Sequence, residues 1–299
     1  MKKPRYITIS IILLLLLSAA SSSANAFARP LAATSPTLGA ALSYSVLAGS
    51  IVTNSGLSVI SGDLGVSPTI GVPPHVTGFP PGIVNAPGAI HDGDANAAAA
   101  QADNTAAFAT IDQGCTTTYA GTQDLTLVSP LGPGVYCADA FILTGNLTLN
   151  GNGVYIFKSA STLTTSAGSS VTGGDPCNVW WRLVSSASIL GSGSSIIGNI
   201  LALTDINLQD GASVNGRVMT QVGQVTLLNN NIFGPVCAVA PPTTAPEEED
   251  TTVTVRALPN TGGAPIRDDS FPWTLAIFGS FSAIALILSL RAYLRANKQ

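Results

Sequence analysis

The amino-acid sequence predicts a mainly β protein built as a parallel β-helix, and three observations carry that expectation. Four consecutive segments between Gly153 and Gly234 can be laid over one another: GVYIFKSASTLTTSAGSSVTG (153–173), NVWWRLVSSASILGSGSSIIG (178–198), NILALTDINLQDGASVNG (199–216) and RVMTQVGQVTLLNNNIFG (217–234). Each opens with a short apolar strand, turns through small polar residues, resumes an alternating strand and closes on Gly. Repeats of roughly 20 residues of this kind mark a solenoid, whose coils cannot bury an apolar face alone and must stack. Two further segments, 44–62 and 134–152, read as coils of the same type although residues 63–133 separate them, so the solenoid is discontinuous in sequence. Finally, charged residues make up only 9% of the chain, and such a surface must be covered by Ser, Thr, Asn and Gly. Between Ser35 and Ala240 there are ten Asp, no Glu and three basic residues, Lys158, Arg182 and Arg217, each read as an isolated surface charge. With no basic patch to displace counterions, nucleic acid is excluded as a partner.

Residues 1–26 combine a basic start (Lys2, Lys3, Arg5), an apolar run from Ile7 to Leu17 and a small-x-small site at Ala24-Asn25-Ala26. This is the pattern of a secretory signal removed before Phe27, with an uncleaved anchor as the alternative. Residues 27–37 are expected to be a linker and 38–239 the solenoid domain. After the coil 44–62, the prolines at 68, 73, 74, 80, 81 and 87 predict a segment without regular structure that wanders over the surface. DGDANAAAAQADNTAAFATIDQ (92–113) is the one convincing helix, with Asp92 or Asp94 as N-cap and Gly114 as stop. Its alanine-rich face permits close approach to a sheet, which places it along one side of the solenoid.

Cys115, Cys137, Cys177 and Cys237 lie in an exported region, where disulfides are allowed. Three pairings can be drawn; Cys115–Cys137 and Cys177–Cys237 are favoured, with free buried thiols as the alternative. The first would pin the helix end to the next strand and the second would tie the last coil to an earlier one. No C-x-x-C pair occurs and the chain has only two histidines, so neither a zinc site nor any other cofactor is expected. Trp180 and Trp181, adjacent on a strand, must point to opposite faces, one into the core and the other under the helix.

Residues 240–257 have no periodicity and read as an extended, disordered stalk rich in Pro, Thr and acid. Leu258-Pro259-Asn260-Thr261-Gly262 follows, then a polar spacer, an apolar run at 271–290 long enough to span a bilayer, and a basic tail at 291–299. Pentapeptide, apolar segment and basic tail in that order resemble a sortase cell-wall sorting signal. The resemblance implies that a sortase attacks the Thr261 carbonyl and passes the acyl group to a cell-envelope amine, after a stage in which the C-terminal helix sits in the membrane. The product would be secreted and anchored to the cell wall or the outer face of the membrane. An uncleaved membrane-anchored protein is the alternative.

The order of motifs within the domain is distinctive. A first coil ends in SGDLGVSP, a Pro-rich excursion follows, HDGDANAAAAQAD enters an alanine-rich helix, and GVYC, GVYIF and WWRLVSSASILGSGSSIIGNILALTDINLQDGASVNGRV complete the series. Over about residues 38–239 this resembles the microbial ice-binding protein family with a discontinuous β-solenoid fold. The resemblance implies a right-handed β-helix of triangular cross-section, a long helix packed alongside, an N-terminal coil inserted out of sequence order, and an ice-binding face on one sheet. Laying the coils over one another puts Ser55-Gly56-Leu57-Ser58, Ser166-Ala167-Gly168-Ser169, Ser192-Gly193-Ser194-Ser195 and Asp210-Gly211-Ala212-Ser213 in one column. These tetrads resemble the Thr-Ala/Gly-x-Thr/Asn motif of some family members, with Ser or Asp in place of Thr. They nominate Ser55, Ser58, Ser166, Ser169, Ser192, Ser195, Asp210 and Ser213 as contacts to an ice crystal surface. Ser brings the hydroxyl without the methyl and with a freer χ1 than Thr, so weaker adsorption is expected than from a Thr-rich face. The same residue types are also what tight turns require.

Catalysis is not expected. The lyases and hydrolases found on extended β-helices need grouped carboxylates, whereas Asp139, Asp175, Asp205 and Asp210 are scattered. His75 and His91 have no neighbouring nucleophile in sequence. The rival to ice binding is a wall-anchored adhesin of the same fold that binds carbohydrate or another cell.

Overall fold

The computed structural model describes residues 32–68, 71–185, 187–189, 191–234 and Cys237. The predicted signal peptide, stalk, sorting motif and membrane segment lie outside these residues. Among the described residues no helix is long and apolar enough to cross a membrane.

Each coil lays down three short strands, and each strand pairs in parallel with its counterpart in the next coil. One face takes Thr117–Thr118, Gly134–Ala138, Tyr155–Ser159, Val179–Leu183, the second halves of Ser195–Ala202 and Ser213–Thr220, then Tyr44–Ala48, Asp63–Val66 and Ile90–Asp92. A second face takes Thr122–Asp124, Ala140–Leu143 and Leu163–Thr165, then Ala187–Ile189, Ile206–Leu208, Val225–Leu228, Val52–Ser55 and Val76–Thr77. Its two sheets meet where the Gly191 N–H donates to the Thr165 carbonyl at 3.1 Å. The third face takes Asn146–Leu149, Ser170–Gly173, the first halves of the two long strands, Asn231–Phe233, Val59–Ser61 and Ile83–Asn85. The coil at 44–61 stacks on the coil at 217–233, through Val46 on Val218, Thr53 on Thr226 and Ile60 on Ile232. The predicted break in chain order is therefore present, with the N-terminal coil built onto the last one.

Strand alternation decides what the interior holds. In the first face the register runs Tyr136, Phe157, Trp181, Ile200, Val218, Val46, Leu64 along the axis, all pointing into the core. Phe157 stacks on Trp181 with centroids 4.3 Å apart and on Tyr136 at 5.4 Å. The Trp181 indole N–H is satisfied by the Ile197 carbonyl at 3.0 Å. Trp180, one residue earlier, faces the other way and packs with Leu47, Leu201, Met219, Ala100, Ala107 and Ile111 under the helix.

That helix spans Ala95–Thr110, shorter at both ends than the expected 92–113, with Asp94 as N-cap accepting from the Ala97 N–H. Ala97, Ala100 and Ala107 are buried against the first face, where Gln101 Nε2 donates to the carbonyls of Thr220 and Gln221. Its exit is held by two cations. Lys158 Nζ lies 2.5 Å and Arg182 Nη2 3.2 Å from the Asp112 carboxylate, and both also donate to backbone carbonyls of the final turn, at Gln113 and Phe108. Lys158 and Arg182 pair in register on neighbouring strands, which is why neither is the isolated surface charge that sequence spacing suggested. Arg217 departs further from that expectation. It is 1% exposed and donates to the Leu42 carbonyl and to Asn199 Oδ1, and burial pulls its pKa down to about 10. The end of the expected linker is also docked, with Thr34 and Gln113 exchanging hydrogen bonds and Ser35 accepting from the Trp180 indole.

Both favoured disulfides are present, Cys115–Cys137 and Cys177–Cys237. The Pro-rich excursion differs from expectation. Its segments 76–77, 83–85 and 90–92 pair with 52–53, 59–61 and 64–66, so it forms a further coil that ends the stack. Proline is tolerated there because an outermost strand needs no donors on its free side, and the prolines fall between the paired stretches.

Two outcomes follow for stability. Phe157→Ala should cost about 3–5 kcal/mol by denaturant unfolding, since it empties the middle of the aromatic stack. The Lys158 hydrogen bond, aided by the Arg182 charge and opposed by burial, holds the Asp112 carboxyl below its ordinary range. A depressed folded-state pKa stabilises above the unfolded value of about 4 and is lost as pH falls through the folded one. Asp112→Asn should therefore lower stability at pH 7 by under about 1 kcal/mol, given its exposure, and the gap should close below about pH 4 in thermal melts.

Candidate functional surface

The helix covers the first face, which leaves two faces open. On the second, inward Ile206, Val225 and Val52 are buried, so the residues next to them point out. The outward register pairs Asp124, Ile142 and Thr164 in one sheet, and Asn207 with Thr226, Thr226 with Thr53, and Thr53 with Thr77 in the other. Thr53 and Thr226 place their hydroxyl oxygens 3.5 Å apart. Ile142, Thr164, Asn207, Thr226, Thr53 and Thr77 carry no charge, and within each of the two sheets the column repeats at the ~4.8 Å spacing of adjacent strands. Threonine is restricted at χ1 by its branched Cβ, so hydroxyls and methyls hold their places at a reduced ordering cost on contact.

The third face is less regular. Its outward columns are Asn146, Ser170, Ser195, Ser213, Asn231, Val59, Ile83 and Thr148, Thr172, Ile197, Asn215, Phe233, Ser61, Asn85. Ile83 and Phe233 are 53% and 45% exposed and break the level of the short side chains. Several of its polar groups are engaged with one another: Asn146 Oδ1 accepts from Ser170 Oγ at 2.9 Å and Thr172 Oγ1 at 3.3 Å.

The serine tetrads sit at the corner between these two faces. Ser55 and Ser166 are exposed at the rim of the second face, and Ser192 and Asp210 are exposed in turns, with Asp210 accepting from Asn229 Nδ2 at 2.7 Å. Ser195 and Ser213 begin strands of the third face. Ser58 and Ser169 are buried, at 0% and 2% exposure, so they do not face solvent. Ser169 Oγ donates back to the Ser166 carbonyl, and Ser58 Oγ accepts from the Asn230 N–H. The eight residues therefore do not form one surface. The serine column is offset by one residue in two coils, because Ser213 pairs with Ser195 and Ser195 with Ser170, not with Ser169. The corner is set by a left-handed residue, Gly168, Gly193, Gly211 and Asn229, with φ of 69°, 66°, 71° and 53°. Glycine takes that conformation without steric cost and Asn with little. Aligning on these glycines instead of on the serines would have given the true register. The outward Thr/Asn column, by contrast, needs only strict alternation about Val52, Ile206 and Val225 and was readable in the sequence.

Among the described residues no group of three or more His, Cys, Asp or Glu is placed to hold a metal ion. His75 Nδ1 pairs with Asp92 at 2.8 Å and His91 Nδ1 with the helix-capping Asp94 at 2.7 Å. The surface thus offers shape and hydrogen bonding over a broad, shallow area.

A family model described as ice-binding-like matches residues 46–233. The chain belongs to the ice-binding-like family. It is 42% identical over 213 residues to an ice-binding protein of Nostoc sp. (strain HG1), covering 67% of this chain and 75% of that one. Among solved structures it resembles an ice-binding protein from an Antarctic biological consortium, with a TM-score of 0.61 and 34% identity over 67% of this chain and 91% of that one. It also resembles one from the Antarctic ascomycete Antarctomyces psychrotrophicus, with a TM-score of 0.61 and 33% identity over 68% of this chain and all of that one. These relatives are named for binding and not for catalysis, in agreement with the expectation that this ice-binding-like domain is not an enzyme.

The corner geometry has a direct test. Ser169→Tyr should lower the melting temperature by several degrees, because the ring cannot fit a buried turn position. Ser195→Tyr, on the exposed start of a strand, should melt close to the parent chain.

Proposed function

We propose that the protein adsorbs to ice through its second face, and that it inhibits ice growth or recrystallisation or fastens a cell to ice. The observation that carries this is the uncharged outward column Ile142, Thr164, Asn207, Thr226, Thr53, Thr77, rimmed by Ser55 and Ser166. Ice offers hydrogen-bonding sites on a regular lattice with no charge. A matching surface must repeat at a fixed spacing, expose hydroxyls that can hold ordered water, and keep ions away. Waters bridging such hydroxyls are worth nearly as much as direct hydrogen bonds, and the threonine methyls keep the water between them ordered. Many weak contacts then form together, with no pocket required. The family membership supports the reading, as do the names of the relatives.

The reading extends to architecture and location. The coils wind in a right-handed sense around a triangular cross-section. The chain is exported, and a sortase joins Thr261 to a cell-envelope amine, so that residues 240–257 act as a spacer between wall and solenoid. The sequence motifs at both ends support this. Thr261→Ala should then leave the protein extractable from cells by detergent, whereas the parent chain should be released only by wall-degrading enzymes.

Growing an ice hemisphere slowly in a solution of the purified protein tests the surface. The parent chain and Ser195→Tyr should be incorporated into the ice, and Thr53→Tyr and Thr226→Tyr excluded with loss of thermal hysteresis. Exclusion of the parent chain together with retention on a glycan array would favour the adhesin. Incorporation of the threonine variants would move the contact to another face.

A further inference from the structure

The two disulfides sit in different electrostatic settings. Cys137 projects from the first face and joins Cys115, an exposed residue beyond the helix. Cys177 joins Cys237 where the chain leaves the solenoid. The buried Arg217 guanidinium reaches this second bond, with Nη1 3.6 Å from the Cys237 sulfur. It is held there from the other side by the Leu42 carbonyl at 2.6 Å and Asn199 Oδ1 at 3.0 Å. Around Cys177 the charge has the opposite sign, because the Asp175 carboxylate accepts from the Cys177 N–H at 3.0 Å. Cys237 also lines an open cavity of about 1120 Å³ together with Leu42, Ser61, Asp63 and Gly234, so a thiolate there is open to solvent, and Cys177 is itself partly exposed.

We propose that Cys177–Cys237 is a thiol-exchangeable disulfide, with Cys237 as the sulfur that carries the negative charge when the bond opens. A thiolate from a small or protein thiol bonds to Cys177 Sγ, the Sγ–Sγ bond breaks, and its electron pair stays on Cys237 Sγ beside the guanidinium. A second thiol displaces the first from Cys177, yielding an external disulfide and a Cys177 thiolate that takes a proton from water. Exchange is faster and the reduced state more stable when the departing thiolate is stabilised by a nearby cation. A buried guanidinium, its pKa pulled down to about 10 by burial, gains in turn from an adjacent anion. Among the described residues the groups facing the pair are Arg217 on Cys237, Asp175 on Cys177, and Asp63 across the cavity. Opening the bond would untie the C-terminal exit of the solenoid from the coil that begins at Val179, loosening the end of the domain without touching either open face.

The test equilibrates the full chain in glutathione buffers of increasing reducing strength, alkylates under acid quench, and reads all four cysteines by peptide mass spectrometry. Cys177 and Cys237 should be half-reduced at a ratio of thiol squared to disulfide about tenfold or more lower than Cys115 and Cys137, a difference of about 30 mV. Exposure alone predicts the reverse order, since Cys115 is the exposed partner. In the reduced protein, alkylation of Cys237 should reach half its maximal rate well below the value of about 8.5 for a free thiol. Arg217→Lys should preserve much of that shift and Arg217→Gln abolish it. Equal reduction of the two bonds, or a Cys237 profile centred near 8.5 in the parent chain, would overturn the proposal. The parent-chain profile decides the matter even if the Arg217 variants fail to fold.

Discussion

The constraint on which the structure depends is the in-register parallel pairing of every coil with the next. Each strand satisfies its backbone groups only through its neighbours along the axis. A residue at a given position is therefore stacked on its counterparts at one spacing along each sheet. Inward, that stacking makes the continuous apolar ladders and the aromatic stack of Tyr136, Phe157 and Trp181. Outward, it turns single side chains into rows. A single-residue slip in any coil would exchange inside for outside, so the core that holds the fold also holds the rows in place.

The three faces differ because their outward residues differ. The first is apolar, with Trp180, Leu201, Met219 and Leu47, and must be covered, which the alanine face of the helix does at close range. Lys158 and Arg182 secure the helix exit and Arg217 the N-terminal segment. The basic residues of the domain are thus gathered on the covered side, where they cannot disturb water above the open faces. The third face mixes engaged polar groups with protruding Phe233 and Ile83. The second presents an outward column of Thr and Asn with no large side chain between Thr164 and Thr77 among the described residues.

Much of this was legible in the sequence. The near-20-residue repeats announced the coils, the displaced coil at 44–62 its insertion, and the Ala-rich stretch the covering helix. The Trp180–Trp181 pair divided as strand alternation requires. What was not legible came from contacts between distant segments. The prolines of residues 68–87 predict a segment without regular structure, because pairing at an outermost strand leaves no local mark. Lys158, Arg182 and Arg217 looked unpaired, since their partners lie on the helix exit and the N-terminal segment. The candidate surface was displaced for a different reason: serine recurs at the corner both inside and outside, and only the left-handed glycine marks the true position.

The central claim is that the second face is the one that meets ice, and solid-state NMR of the labelled protein in frozen solution tests it most directly. Magnetisation transferred from ice protons should reach the methyls of Thr53, Thr77, Thr164 and Thr226 quickly and those of Thr148 and Thr172, on the third face, slowly. Equal build-up on both sets, or faster build-up on Thr148 and Thr172, would contradict the account.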